Sequence, residues 1–132
     1  RGFFYRLPML RAMAPVHAAA DHVGGHRSPF LLLAWRGAEA VGCVALRPID
    51  AARCEMKRLY LRPCVRGARL GERLVRRVCD EARAAGYMRV CLDTLPSMTA
   101  AHALYASLGF VPIAPHVFNP IAGTRFLGLD LG

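Results

Sequence analysis

The segment between residues 54 and 94 changes its hydrophobic period twice, and this constrains the fold more than any other feature of the chain. Residues 54–63 alternate between two faces, which is typical of a strand. From Leu70 onwards the apolar residues follow one helical stripe, and Gly86 is placed to end the helix. Residues 87–95 again favour a strand. Because strand, helix and strand follow each other, we predict a parallel pair of strands joined by a crossover helix.

The rest of the chain predicts shorter elements around this crossover. Two apolar runs with a turn between them favour a β-hairpin before it, and a second helix is expected over residues 99–108. Further strands are predicted over 30–36, 40–49, 110–113 and 124–131. Together these elements predict the α/β (α+β) class: a single domain over residues 1–132, with a mixed, mostly antiparallel sheet flanked by helices.

Residues 1–28 fit this pattern least. Their helical stretches are interrupted by Pro8 and Pro15 and end in the sequence GGHRSP. The chain also begins with Arg1 rather than with methionine. We therefore expect the chain to be a truncated product or a fragment.

The chain is strongly basic, with 18 Lys and Arg residues against 9 acids and a net charge of +9. Such a surface attracts phosphates, nucleic acid or acidic partners. A nucleic-acid-binding module is disfavoured, because no exposed aromatic residues are interleaved with the arginines of the predicted helix. No apolar run reaches the ~18 residues that span a membrane, and no secretory signal is present. We therefore predict a cytoplasmic protein without membrane contact.

The cysteines and histidines argue against disulfides and against a metal site. The number of cysteines is odd, they form no CxxC pair, and most lie in apolar runs, so we expect free, buried thiols. No pair of histidines has metal-ligand spacing with a carboxylate or a cysteine, so no metal is predicted. The residues concerned are Cys43, Cys54, Cys64, Cys79 and Cys91, and His17, His22, His26, His102 and His116.

A basic loop with two glycines joins the predicted strand to the predicted helix at residues 65–71. Backbone N–H groups and the helix dipole at such a junction favour an anion, and Arg66 and Arg69 add charged donors. Two interpretations fit the loop alone equally well. It is either a phosphate cradle, or a solvated arginine cluster with Gly71 placed for helix packing. The fingerprints GxxxxGK[ST] and GxGxxG are both absent.

Four segments together resemble the GNAT superfamily of N-acetyltransferases, in the order found there. CEMKRLYLRPCVRG is similar to its central strand leading into its acetyl-CoA loop, and RGARLG is similar to its signature R/Q-x-x-G-x-G/A. AHALYASLGF resembles its A-x-x-L-Y-x-x-x-G-F helix and turn. NPIAGTRFLGLDL resembles the closing strands of one bacterial subgroup, and DTLPSM is a further stretch that resembles the same subgroup. The resemblance covers about residues 30–132, and it implies that the first helices of the family are partly missing.

The resemblance implies a GNAT-like acyl-CoA N-acyltransferase fold. It also implies acetyl transfer from acetyl-CoA, the co-substrate, to a primary amine of a small molecule or peptide by direct attack. It places the pantetheine arm of CoA against the strand backbone at Leu59, Tyr60 and Leu61, with the Leu61 N–H stabilising the oxyanion. It assigns the pyrophosphate to Arg66, Gly67, Arg69, Leu70 and Gly71. Because family members often dimerise through sheet edges, a homodimer is also expected.

Tyr105 matches the family tyrosine that lies near the CoA sulfur. There a phenol with a pKa near ~10 can protonate the departing thiolate. Its spacing alone favours a core aromatic on the inward face of a helix, and the match to the family motif reverses that preference.

Two carboxylates are candidates for the base that takes the proton of the amine. Glu55 can act through a water, and forming an ion pair with an arginine is an equally good explanation for it. Asp93 is a second candidate and is as easily structural. His116 and Asn119 precede the last strand, where the subgroup lines its acceptor pocket, so they touch the substrate or form a turn.

The sequence departs from the family pattern in the loop and around the acceptor pocket. Arg69 replaces a glycine, and it is strained if its φ is positive but grips the phosphates if it is helical. Met98 replaces an asparagine that contacts CoA, and His116 and Val117 replace aromatic residues. The alternative function is therefore a catalytically inactive relative that binds CoA or a protein partner.

Overall fold

The computed structural model describes residues 4–5, 29–67 and 69–132. They form seven strands, two α-helices and a 3-10 turn. The strands are β1 (Phe4–Tyr5), β2 (Phe30–Arg36), β3 (Glu39–Pro48), β4 (Arg53–Leu61), β5 (Arg89–Thr94), β6 (Val111–Pro112) and β7 (Arg125–Asp130). The helices are α1 (Leu70–Ala84) and α2 (Thr99–Ser107), and the 3-10 turn spans Pro63–Val65. The helical stretches predicted within residues 6–28 lie outside the described residues.

All seven strands belong to one sheet in the order β1-β2-β3-β4-β5-β7-β6. Only β4 and β5 pair in parallel, and every other pair is antiparallel. The predicted mixed sheet and the parallel pair joined by a crossover helix are therefore confirmed.

The two parallel strands pair over three residues and then separate. The ladder joins Arg53–Glu55 to Arg89–Cys91 and stops there. The separation coincides with a bulge in β4, where Arg58 has a φ of 59°. The simple alternation predicted for residues 54–63 is wrong at this point, because a bulge inserts an extra residue and bends the strand. The backbone edges that face each other past the ladder are left unpaired with one another.

Helix α1 packs against one face of the sheet through the apolar stripe that was predicted from Leu70 onwards. Its buried residues are Leu70, Gly71, Leu74, Val75, Val78, Cys79 and Ala82. Gly86, with a φ of 91°, ends the helix as predicted, and the N–H of Tyr87 donates to the carbonyl of Ala82 at 3.1 Å. None of the described helices is long and apolar enough to cross a membrane.

The cysteines are all free, and three of the five are buried. Burial raises the pKa of the Cys79 thiol to about 11, which keeps it protonated and unreactive. Cys43 is half-buried and Cys64 is exposed, so the prediction of buried thiols is wrong for Cys64. In the described part of the chain, no three His, Cys, Asp or Glu side chains group as metal ligands.

Candidate active site between the diverging strands

A cavity of about 730 Å³ lies where β4 and β5 diverge, and we call it the strand-gap cavity. Its wall includes Leu92 and Thr94, which are buried on the core face of β5, and also Asp93, which alternates to the opposite face. Residues from both faces of the sheet therefore line one cavity. A gap in the sheet at this point lets groups approach each other from its two sides.

The loop between β4 and α1 is basic and ends at the start of the helix. Gly67 has a φ of 89°, and Arg69 is the residue that precedes the first turn of α1. No side chain among the described residues caps that turn. A Cβ on the buried Gly71 would lie 3.4 Å from Leu61 and 3.5 Å from Leu104, which are ordinary contact distances. This agrees with the Gly or Ala of the signature, and the uncapped helix start suits a phosphate.

Arg69 adopts the left-handed conformation, with φ 62° and ψ 18°. Of the two alternatives left open by the sequence, the positive φ is the one observed. Its guanidinium is 81% exposed and lies 3.6 Å from Glu72. This conformation favours glycine, so the arginine at position 69 is strained.

Replacing Arg69 with glycine is expected to raise the free energy of unfolding by about 0.5–1 kcal/mol. Glycine removes the strain of the left-handed conformation, which stabilises the folded state. Part of this gain in stability is offset because glycine loses more backbone entropy on folding than arginine does. Urea unfolding of the purified protein measures it. Arg62→Gly is the matched control, because Arg62 flanks the same loop with a φ of –62° and should lose stability. Equal losses in both variants would contradict the argument.

The backbone of β4 presents polar groups towards the gap. The N–H of Arg62 donates to the carbonyl of Val41 on β3 at 2.9 Å. Because successive residues of a strand alternate between its two edges, the N–H and C=O of Leu61 face the β5 side. The Leu61 carbonyl accepts a bond from Arg66 Nε at 3.1 Å. The sequence-predicted Leu59 lines the cavity, and Tyr60 is half-exposed beneath the Arg66 guanidinium at 5.7 Å.

Tyr105 on α2 lies between the hydrophobic core and the strand-gap cavity. Only 5% of the residue is exposed, and its ring packs against Phe110 with centroids 5.5 Å apart. It also lines the cavity. Desolvation raises the pKa of its phenol to about 12, so it stays protonated at neutral pH. Tyr105 is therefore a core aromatic that also lines the cavity, and its role near the CoA sulfur stays a prediction.

Glu55 is completely buried and is surrounded by basic side chains. Its Oε1 accepts a bond from Arg47 Nε at 2.7 Å, across the β3–β4 ladder. Its Oε2 lies 2.9 Å from His116 Nε2 and 3.6 Å from Lys57 Nζ. The ion pair anticipated for this residue is therefore present, and both carboxylate oxygens are engaged.

Asp93 is the carboxylate that lines the cavity. Its side chain is 15% exposed, its Oδ2 accepts a bond from Asn119 Nδ2 at 3.1 Å, and its Oδ1 lies 3.7 Å from Lys57 Nζ. The side-chain Oδ1 of Asn119 also accepts a bond from the N–H of Ile121, as the turn interpretation expected. The loop between β6 and β7 thus places His116 beside Glu55 and Asn119 beside Asp93.

Glu55→Gln is expected to lower the free energy of unfolding by about 2 kcal/mol. The substitution removes the counter-charge of Arg47 and one of the two acids near Lys57, which keeps Asp93 at 3.7 Å. Partial exposure of both cations limits the loss. Chemical denaturation measures it. Glu39→Gln is the matched control, because Glu39 is 52% exposed in its pair with Arg62 and should change stability by under about 0.5 kcal/mol. Similar small losses in both variants would contradict a structural role for Glu55.

Three basic residues of the cavity wall, Arg47, Lys57 and Arg58, were not predicted from the sequence. A signal existed for Lys57, the only lysine of the chain, because it lies two residues from Glu55 on the same strand. Arg47 depends on the register of the β3–β4 ladder and Arg58 on the bulge. Neither of these can be read from the sequence alone.

The sheet opens between its two parallel strands, and a basic loop and a helix start without a side-chain cap lie beside the opening. This arrangement suits a phosphate-bearing ligand. The chain matches the family model described as "Acetyltransferase (GNAT) family" over residues 5–110, and it belongs to that family.

Three relatives indicate how far the similarity extends. An uncharacterised N-acetyltransferase of Schizosaccharomyces pombe is 41% identical over 93 residues, which are 70% of this chain and 57% of that protein. One of Dictyostelium discoideum is 40% identical over 79 residues, 59% of this chain and 37% of that protein. An IAA acetyltransferase of Azospirillum brasilense is 36% identical, with 69% and 62% covered. The chain thus spans less than two thirds of the length of these relatives.

Solved structures share the fold. An acetyltransferase of Streptococcus agalactiae has a TM-score of 0.74 at 22% identity, and 99% of each chain is covered. A Salmonella typhimurium protein solved with its cofactor acetyl-CoA has a TM-score of 0.68 at 25% identity, covering 88% of this chain and 70% of that one. The predicted GNAT-like fold is therefore confirmed.

Proposed function

We propose that residues 1–132 form a single N-acetyltransferase domain that transfers an acetyl group from acetyl-CoA to a primary amine by direct attack. The observation that carries the proposal is the strand-gap cavity, which a protonated tyrosine lines beside the unpaired edge of β4. Membership of the family supports it, as does the acetyl-CoA bound to the Salmonella protein. The amine belongs to a small molecule or a peptide. A homodimer through the sheet edges stays a prediction.

The residues present fit acetyl-CoA. The uncapped start of α1, together with Arg66, Gly67, Arg69, Leu70 and Gly71, would hold the pyrophosphate by backbone N–H groups and charge. The exposed edge of β4 at Leu59, Tyr60 and Leu61 would bind the pantetheine amides as a further strand would. Acetyl-CoA supplies the activated thioester, and the protein needs no metal for this chemistry.

Three groups of the chain act on the transfer step. The N–H of Leu61 donates to the oxygen of the attacked carbonyl as it gains negative charge. Tyr105 donates its phenolic proton to the departing sulfur, since its raised pKa keeps that proton available. A carboxylate receives the proton that the amine gives up.

Glu55 and Asp93 are the candidates for this carboxylate, and the geometry favours Asp93. Asp93 lines the cavity, whereas Glu55 is 0% exposed and its two oxygens lie within hydrogen-bond distance of Arg47 and of His116. Asp93 meets the incoming ammonium and accepts its proton directly or through a water. Glu55 holds Arg47, Lys57 and His116 in place. Asn119 orients Asp93, and His116 fixes the acceptor loop.

The proposal is tested by incubating the protein with acetyl-CoA and a panel of amines. Thiol release is followed by colour, and acetylated products are identified by mass spectrometry. We expect acetylated amine to form in proportion to released CoA. Binding of CoA without product from any amine would favour the inactive relative, for which the strained Arg69 is the main support.

A further inference from the structure

Among the residues that the structure describes, the charged side chains that line the strand-gap cavity are mostly basic. Three of these are cations, Arg47, Lys57 and Arg58, and one is an acid, Asp93. The cations remain in excess when the buried Glu55 behind the wall is counted as well. The cavity therefore favours a ligand with negative charge.

The proposed reactants do not account for this excess. A simple amine arrives as a cation at neutral pH, and the acetyl and pantetheine groups of acetyl-CoA carry no charge. Under the proposed function the phosphates of CoA bind the loop at residues 65–71, and none of the described residues of that loop lines the cavity. An anionic group on the acceptor itself would match the wall.

Arg47 is held in a geometry that suits a carboxylate. Its Nε is bonded to Glu55 at 2.7 Å, which fixes the plane of the guanidinium against a fully buried anchor. The side chain is 52% exposed, and within the described residues its two terminal nitrogens have no hydrogen-bond partner. That pair of nitrogens is the edge that binds a carboxylate through two parallel bonds.

Arg58 contributes a second charge at the same wall. It occupies the bulge of β4 with a φ of 59° and is exposed. In the part of the chain that the structure describes, it forms no ion pair with an acid, unlike Lys57, which lies near both Glu55 and Asp93. Bulges commonly re-aim a side chain beside a functional site.

We propose that the acceptor is a small aminocarboxylate, an amine that also carries a carboxylate. Arg47 binds the carboxylate through its two terminal nitrogens, Arg58 adds attraction, and Asp93 holds the ammonium. This rests on the proposed function for the use of the cavity, and it narrows the acceptor from any amine to this class.

The test compares matched probes that differ only in the carboxylate. L-Leucine is paired with 3-methylbutylamine, L-phenylalanine with 2-phenylethylamine, and 4-aminobutyrate with propylamine. Each is titrated by calorimetry into the full chain in excess CoA, and the same probes are offered with acetyl-CoA. The variants are Arg47→Lys, which keeps a cation beside Glu55, and Arg58→Gly, which suits the positive φ. Arg62→Lys is the control, because Arg62 is paired with Glu39 and does not line the cavity.

We expect the aminocarboxylate of at least one pair to bind about tenfold or more tightly than its partner. Arg47→Lys and Arg58→Gly should each reduce that ratio, whereas Arg62→Lys should keep it. The inference is overturned if no aminocarboxylate binds better than its partner, or if the ratio survives both variants. Acetyl transfer to amines with no preference for the aminocarboxylates would support the proposed function and overturn the inference about the acceptor. Selective binding without transfer would support the carboxylate site and count against the proposed function.

Discussion

Tyr105→Phe is expected to lower kcat for acetyl transfer about 100-fold while leaving the affinity for acetyl-CoA nearly unchanged. The loss follows from removing the proton donor for the departing sulfur, a role that contributes about 10²–10⁴ in rate. The fold should persist, because the ring keeps its packing on Phe110 and its hydroxyl bonds to none of the described residues. Steady-state kinetics and a calorimetric titration with acetyl-CoA give the two quantities.

Tyr87→Phe is the matched control, because it removes the same oxygen from a buried tyrosine outside the cavity wall. The wild-type rate should also show no alkaline loss from Tyr105 below about pH 11. Its pKa of about 12 keeps the donor form populated up to that point. Full activity in Tyr105→Phe would remove this residue from the mechanism.

Asp93→Asn is expected to lower kcat/KM for the amine about 100-fold at pH 7, because the substitution removes the carboxylate that takes the proton of the ammonium. The remaining activity should rise steeply with pH, since an amine with a pKa near ~10 then loses its proton to solvent. The measurement is a pH–rate profile of the variant beside the wild type.

Glu55→Gln is the comparison that separates the two carboxylates. If Glu55 only holds its basic neighbours in place, the folded fraction of Glu55→Gln should show a pH–rate profile with the same shape as that of the wild type. If Glu55→Gln instead loses the part of the pH–rate profile that depends on the carboxylate base, and Asp93→Asn keeps that part, the base is Glu55. The geometry of the cavity wall would then be a poor guide to the reaction.

Much of the fold could be predicted because its elements carry strong local patterns. The stripe from Leu70 and the left-handed Gly86 specify α1 and its end, and the crossover that α1 makes forces β4 and β5 to be parallel. Tyr105 was singled out from a family motif, and it lines the cavity. These features depend on residues that are close together in the chain.

The parts that could not be predicted depend on register and backbone geometry. Arg58 lies in a bulge that leaves no clear sequence signal, and Arg47 reaches Glu55 only because the β3–β4 ladder sets them opposite each other. The φ of Arg69 was open because an arginine fits both a helical and a cradle position. Cys64 was grouped with the buried thiols because most of the cysteines lie in apolar runs, but its own side chain is exposed in the 3-10 turn.

The most direct test of the account is a calorimetric titration of the full chain with acetyl-CoA. The account predicts saturable binding of one acetyl-CoA per chain. The affinity should weaken with added salt, because basic groups and a helix start hold the phosphates. Absence of binding at millimolar acetyl-CoA would contradict it, since the left-handed Arg69 would then have closed the cradle and the gap between β4 and β5 would need another ligand.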